Sequence, residues 1–206
     1  MKTMLILTGP QGSGNHMWAK LFALHPWVQG WSALLSTYWI GHDQEPFADC
    51  WRDPGLLRRR NWGTHNYYVT SISTPYMSQG KFIQPDFRSF VRGCQDSGVQ
   101  VKFAVLGRDR NILAHQQRRV RNCQTLDQAL AEFSGLAAPY FLSYELVHLY
   151  GTKYLESVSQ HLAFPMATQD PRIHEILAED TNAKYVRAAR ATATDQLART
   201  ASGLDQ

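Results

Sequence analysis

The chain reads as an α/β fold, a parallel β-sheet flanked by helices on both faces. Three observations predict it. Met4–Thr8 and Val101–Gly107 are short, nearly unbroken apolar runs, the pattern of strands buried on both sides. Segments of helical periodicity alternate with such strands, as crossover connections between parallel strands require. A glycine-rich turn, Gly9-Pro10-Gln11-Gly12-Ser13-Gly14, joins the first strand directly to the first helix.

The elements follow in order. After the glycine turn, Met17, Trp18, Leu21 and Phe22 share one side of a helix over Asn15–Leu24, which Pro26 stops. From Trp27 to Thr64 the chain is rich in Trp, His, Pro and Arg with weak periodicity; loops and short helices are expected in this insertion. Asn66–Ser73 is β-branched and aromatic, a second strand. Pro85 and Asp86 open a helix whose Phe87, Phe90, Val91 and Cys94 line one face, and Gly98 closes it. Val101–Gly107 is the third strand and Arg110–Arg121 a helix. Its Ile112, Leu113 and Val120 are expected to face the core. Thr125 and Gln128 are spaced as a capping box for a helix through Leu126, Leu130 and Phe133. Tyr140–Tyr144 is the fourth strand, followed by a helix from about Gly151 to Leu162.

At 206 residues the chain suits one domain, taken as 1–187 with the irregular insertion around 27–64 and a C-terminal tail at 188–206. A formal net charge of +4 fits an anionic ligand, but no long Lys/Arg run marks a nucleic-acid protein. Cys50, Cys94 and Cys123 are far apart and form no CxxC pair, so packed, reduced thiols are expected. The N-terminal apolar run is too short for a signal peptide, and no run approaches a membrane span. A cytoplasmic location is expected.

The glycine turn has the outline of a phosphate loop. Glycines let consecutive N–H groups aim into one concavity, and the following helix adds its positive end. Gly9 and Gly14 stand at the spacing of a nucleoside-triphosphate loop, but Asn15 and His16 occupy the places of its Lys and Ser/Thr. The charge for terminal phosphates and the hydroxyl for magnesium are both missing. No metal is expected. A second basic segment, Arg108-Asp109-Arg110-Asn111, follows the third strand, where open α/β sheets bind ligands. On the ensuing helix Asn111, His115 and Arg118 share a stripe, and arginine suits phosphate through paired, charge-assisted hydrogen bonds.

Together these segments resemble the sulfotransferase superfamily, on a P-loop NTPase-like three-layer sandwich. The likeness lies in Ser13-Gly14-Asn15-His16, in Arg108-Asp109 with its helix to Arg119, and in Phe141-Leu142-Ser143-Tyr144-Glu145-Leu146. It implies 3′-phosphoadenosine 5′-phosphosulfate as donor and adenosine 3′,5′-bisphosphate as product. The cofactor-binding positions it implies are Gly9, Gln11, Gly12, Ser13, Gly14, Asn15, His16, Arg108, His115, Gln116 and Arg119. His65, before the second strand, is similar in place to the family's base histidine. His16 is a candidate to contact the sulfuryl oxygens. Two departures stand out: Gly12 lies where the family often has Lys or Arg, and Gln116 where it has serine. A missing preorganised cation costs about 3–4 kcal/mol of transition-state stabilisation. The resemblance implies a small-molecule or glycan acceptor, and is compatible with a homodimer. Two alternatives stay open: a P-loop phosphotransferase acting on a small molecule, and a non-catalytic nucleotide binder. His42, Asp43 and Glu45 form a polar cluster of no recognised ligand spacing. The tryptophan-rich insertion offers aromatic faces for an acceptor pocket or for packing.

Overall fold

The computed structural model describes residues 1–37, 40–78, 80–121 and 124–179, with no side chains described for 119–121. Val120, Arg119, Cys123 and the tail at 188–206 therefore fall outside the described residues or side chains.

Five parallel strands form the central sheet in the order β2-β3-β1-β6-β7. They are β1 (Lys2–Gly9), β2 (Val28–Gln29), β3 (Tyr67–Ser73), β6 (Val99–Gly107) and β7 (Tyr140–Ser143). β1 is central, and Met4 to Leu7 are completely buried, as an apolar strand covered on both faces must be.

Alternate side chains feed two cores. Leu5, Leu7, Val69, Ala104 and Leu106 pack against α1 (Asn15–Ala23), α7 (Thr152–Leu162) and α8 (Arg172–Ala178). Met4, Ile6, Tyr68 and Phe103 pack on the other face against α2 (Ala48–Arg52) and α3 (Phe87–Asp96), and Val105 meets α5 (Leu126–Phe133). Helices therefore cover both faces of a parallel sheet.

α3 matches its sequence reading closely. The Asp86 side chain accepts the Ser89 amide as an N-cap, Phe87, Phe90 and Cys94 are buried, and Gly98 stops the chain at φ 71°. Cys50 and Cys94 are buried free thiols, and burial pushes Cys94 up to about 12.

Other readings are corrected. Thr125 does not cap α5: its hydroxyl is buried without a partner among the described residues, while its amide donates to Gln117. Leu130 is exposed, and Ala129 takes the core position beside Phe133. In α4 (Arg110–Arg121) Leu113 faces the core, but Ile112 is exposed. Five elements had no clear periodic signal: β2, the antiparallel hairpin strands β4 (Tyr76–Ser78) and β5 (Lys81–Ile83), α6 (Tyr144–Tyr150), and α8. All are short, and strands of two or three residues are too few to display an alternation. Among the described residues no helix is long and apolar enough to cross a membrane.

Candidate functional site

The strand order positions the site. From β1 the chain passes to one side of the sheet, through β2 and β3. It then crosses to the other side of β1, through β6 and β7. The crevice between the carboxyl ends of β1 and β6 is thus a topological switch point, where such sheets bind ligands. The Gly9–Gly14 loop leaves β1 on one side of it, and Arg108 leaves β6 on the other.

Glycine is required at three points of the loop. A Cβ at Gly9 would lie 2.4 Å from the Ser13 hydroxyl and 2.8 Å from the Leu106 carbonyl oxygen. Gly12 and Gly14 hold φ values of 94° and 98°, which favour residues without a Cβ. The Ser13 amide closes a turn onto the Pro10 carbonyl at 3.1 Å. Among the described residues no main-chain acceptor takes the Gly12, Gly14 or Asn15 amides. α1 follows with Gly14 as N-cap, no side-chain cap and no acidic residue in its first turn. An uncapped, uncompensated helix N-terminus favours an anion.

The Arg108 guanidinium spans the crevice. Its Nη1 donates to the Gly12 carbonyl and to Gln116 Oε1, each at 3.0 Å. Its plane lies over the Tyr144 ring at 4.3 Å. The Arg108 Nε is buried with no partner among the described residues. α4 holds the loop at a second point, where Gln117 Nε2 donates to the Gln11 carbonyl at 2.7 Å. Asp109 Oδ1 accepts the Asn111 and Ile112 amides and so caps α4, while Glu145 Oε1 accepts the Asp109 amide. Glu145 is thus a brace between β6 and α6. The His148 ring packs at a tilt against Tyr144, 4.5 Å between centroids, and burial together with the Arg108 charge lowers its pKa.

The structure brings together Gly9, Gln11, Gly12, Ser13, Gly14, Asn15, Arg108 and Gln116. It separates others. His65 lies before the amino end of β3, where Asn66 bonds to Thr3, whereas the loop sits beside Ser73 at the carboxyl end. Seven residues of β-strand put roughly 20 Å between them, so His65 is not positioned as a base for chemistry at the loop. His115 is exposed in company with Asn111 and Arg118. The stripe of α4 that meets the loop is Leu113, Gln116 and Gln117, one residue round the helix. The Arg119 side chain lies outside those described. His16 Nε2 pairs with the Ile40 carbonyl at 2.9 Å, and its ring packs on Trp31 and His42. It ties the insertion to α1.

The insertion, β3 and β4 enclose a cavity of about 540 Å³ directly beside the loop, with Gln11 in its wall. Sequence reading missed its key members, Ser71 and Ser73 on β3, because a polar residue in a strand carries no sign of which end or face it serves. Asn15 Nδ2 donates to Ser73 Oγ at 2.8 Å and joins the loop's helix to this wall. Glu45, read as part of a polar loop cluster, is instead buried, while its neighbour Asp43 is exposed. Burial pushes the Glu45 carboxyl up to about 8. Among the described residues only the Phe47 amide meets it at hydrogen-bond geometry, donating to Oε2 at 2.8 Å. The Thr70 hydroxyl and Ser71 amide lie close enough to temper the shift but leave Oε1 without a partner.

No protein-family model matches this chain, and no curated protein matches it.

Proposed function

We propose that the crevice between the glycine loop and Arg108 binds 3′-phosphoadenosine 5′-phosphosulfate, and that the chain transfers its sulfuryl group to an acceptor hydroxyl or amine. The observation that carries this reading is the approach of the Arg108 guanidinium to the Gly12 carbonyl across the switch point. Main-chain amides and a helix N-terminus face one side of that space, and a half-buried cation closes the other.

The donor supplies an activated sulfuryl group. In the transfer a bond forms from the acceptor oxygen or nitrogen to sulfur and the sulfur bond to the bridging phosphate oxygen breaks. The acceptor proton passes to a base or water. The loop amides and Arg108 would orient the phosphates and stabilise charge developing on the leaving oxygen. Asn15 and His16 are engaged with Ser73 and Ile40, not arranged for magnesium triphosphate. That weighs against the phosphotransferase alternative.

Thermal unfolding of the full chain tests the reading. At a hundredfold excess over Kd, adenosine 3′,5′-bisphosphate should stabilise by about 2.7 kcal/mol, a rise of roughly 5–10 °C in Tm. Arg108→Ala should abolish the rise while circular dichroism stays native. An equal or larger response to ATP with magnesium, or an undiminished response in Arg108→Ala, would refute it. Transfer of radiolabelled sulfate to a mixed acceptor library then separates an enzyme from a nucleotide binder.

A further inference from the structure

α4 contains Arg110, Arg118, Arg119 and Arg121 and no acidic residue. Four of the chain's 21 basic residues thus stand on it, and the other 17 equal the 17 acidic ones, so the whole formal excess of +4 belongs to one helix. Leu113 and Gln117 face inward, while Arg110, Asn111, His115 and Arg118 are exposed on the outer side. Among the described residues neither Arg110 nor Arg118 has a carboxylate partner. Arg118 Nε donates to the Ala114 carbonyl of its own helix at 3.4 Å.

Helix stability does not account for this charge. A cation in the first turn, where Arg110 stands, opposes the helix dipole, and like charges three or four positions apart on a helix repel. Such a density suits an anionic partner instead.

Apolar exposure adjoins it. The Asp109 amide donates to Glu145 Oε1 at 2.8 Å, which sets the first turn of α4 beside that of α6. Ile112, in that turn of α4, is 49% exposed. On α6, Val147 is buried, whereas Leu146, Leu149 and Tyr150 share another side at i, i+3 and i+4 and are 39%, 74% and 60% exposed. Large apolar side chains left open beside a basic face mark an interaction surface.

The two properties together narrow the partner. A soluble polyanion would match the arginines and leave the leucines in water. A second copy docking through the same face would bring an equal positive charge against this one. An anionic bilayer satisfies both: its headgroups neutralise the arginines, and the leucines, Ile112 and Tyr150 enter the headgroup boundary, where tyrosine is favoured.

We propose that α4 and α6 form a docking surface for an anionic lipid bilayer, on which the chain lies without crossing it. The surface is independent of the nucleotide reading. Because Arg108 directly precedes α4, docking holds the crevice close to the membrane.

Flotation of the full chain with vesicles tests it, using phosphatidylcholine alone and an equal mixture of phosphatidylcholine and phosphatidylserine. The chain should float with the mixed vesicles and not with phosphatidylcholine alone, and added salt should weaken the binding. Arg110→Gln with Arg118→Gln should lower the partition coefficient by about ten- to thirtyfold, and Leu149→Ser with Tyr150→Ser by about tenfold or more. These side chains are exposed, and an unchanged Tm reports that each variant is folded. Arg59→Gln with Arg92→Gln removes the same charge at exposed positions outside α4 and should leave partition within about twofold. The proposal is overturned if the mixed vesicles fail to bind, if phosphatidylcholine alone binds as well, or if the Arg59 and Arg92 pair loses as much as the Arg110 and Arg118 pair. It is also overturned if Leu149→Ser with Tyr150→Ser binds as the parent does; tight heparin binding would then reassign the surface to a soluble polyanion.

Discussion

Glu45→Gln keeps the shape of a buried side chain and removes its ionisation, so it isolates one electrostatic contribution to stability. Burial raises the Glu45 pKa from 4.5 to about 8, against the opposing pull of the Phe47 amide, Thr70, Ser71 and the Arg60 charge. In the unfolded chain the carboxyl loses its proton near the ordinary value; in the folded chain it keeps the proton to about 8. Folding therefore takes up a proton between those limits. The stability linked to Glu45 is fully present below the unfolded pKa and is lost as pH rises through the folded one. At about 1.4 kcal/mol per unit the ceiling is roughly 3–5 kcal/mol. Urea unfolding followed by tryptophan fluorescence, on the parent and Glu45→Gln, measures it at about pH 5, 7 and 9. The parent should lose several kcal/mol relative to the variant across that range, with most of the divergence complete by about pH 8. Other titrating groups, including the neighbouring Cys50 thiol, are common to both chains and largely cancel in the difference. Parallel stability profiles would show that the carboxyl is hydrated and would refute the burial argument.

Two further substitutions probe the loop and its support. Gly14→Ala forces a Cβ into a φ of 98° and to 2.9 Å from the Tyr144 ring that stacks on Arg108. It should cost about 1–3 kcal/mol in unfolding free energy and remove the nucleotide response. Gly98→Ala, at φ 71° in open space, should cost about 1 kcal/mol and leave the response alone; equal behaviour of the two would refute the packing argument. Lys20, 2% exposed in α1, is held by Glu179 at 2.6 Å, with the carboxylate 30% exposed. Glu179→Ala strands the ammonium and, discounted for that exposure, should cost about 1–3 kcal/mol, which Lys20→Met in the same chain should recover. A double variant no more stable than Glu179→Ala alone would refute this account.

Much of this architecture was legible along the chain. Continuous apolar runs announce β1 and β6, because a strand covered on both faces has no polar alternation to hide it. Asp86, the apolar stripe of α3 and Gly98 state that helix's start, face and end within a dozen residues. Gly9, Gly12 and Gly14 announce a tight turn, since local backbone geometry alone restricts those positions. These are near-neighbour effects, and near neighbours are what a sequence records.

The site depended on distances that no local pattern encodes. His65 and Ser73 lie eight positions apart at opposite ends of β3, and strand direction in the sheet decides which of them meets the loop. A rotation of one residue about α4 turned Gln116 and Gln117 toward the loop and His115 outward, because Leu113 anchors the helix on the core and sets its phase. Arg108 reaches Gly12 across 96 positions, and Gln11, Glu45 and Ser71 converge from three segments on one cavity. Periodicity identifies which side of an element is buried, whereas the order and direction of strands settle what each end of it faces.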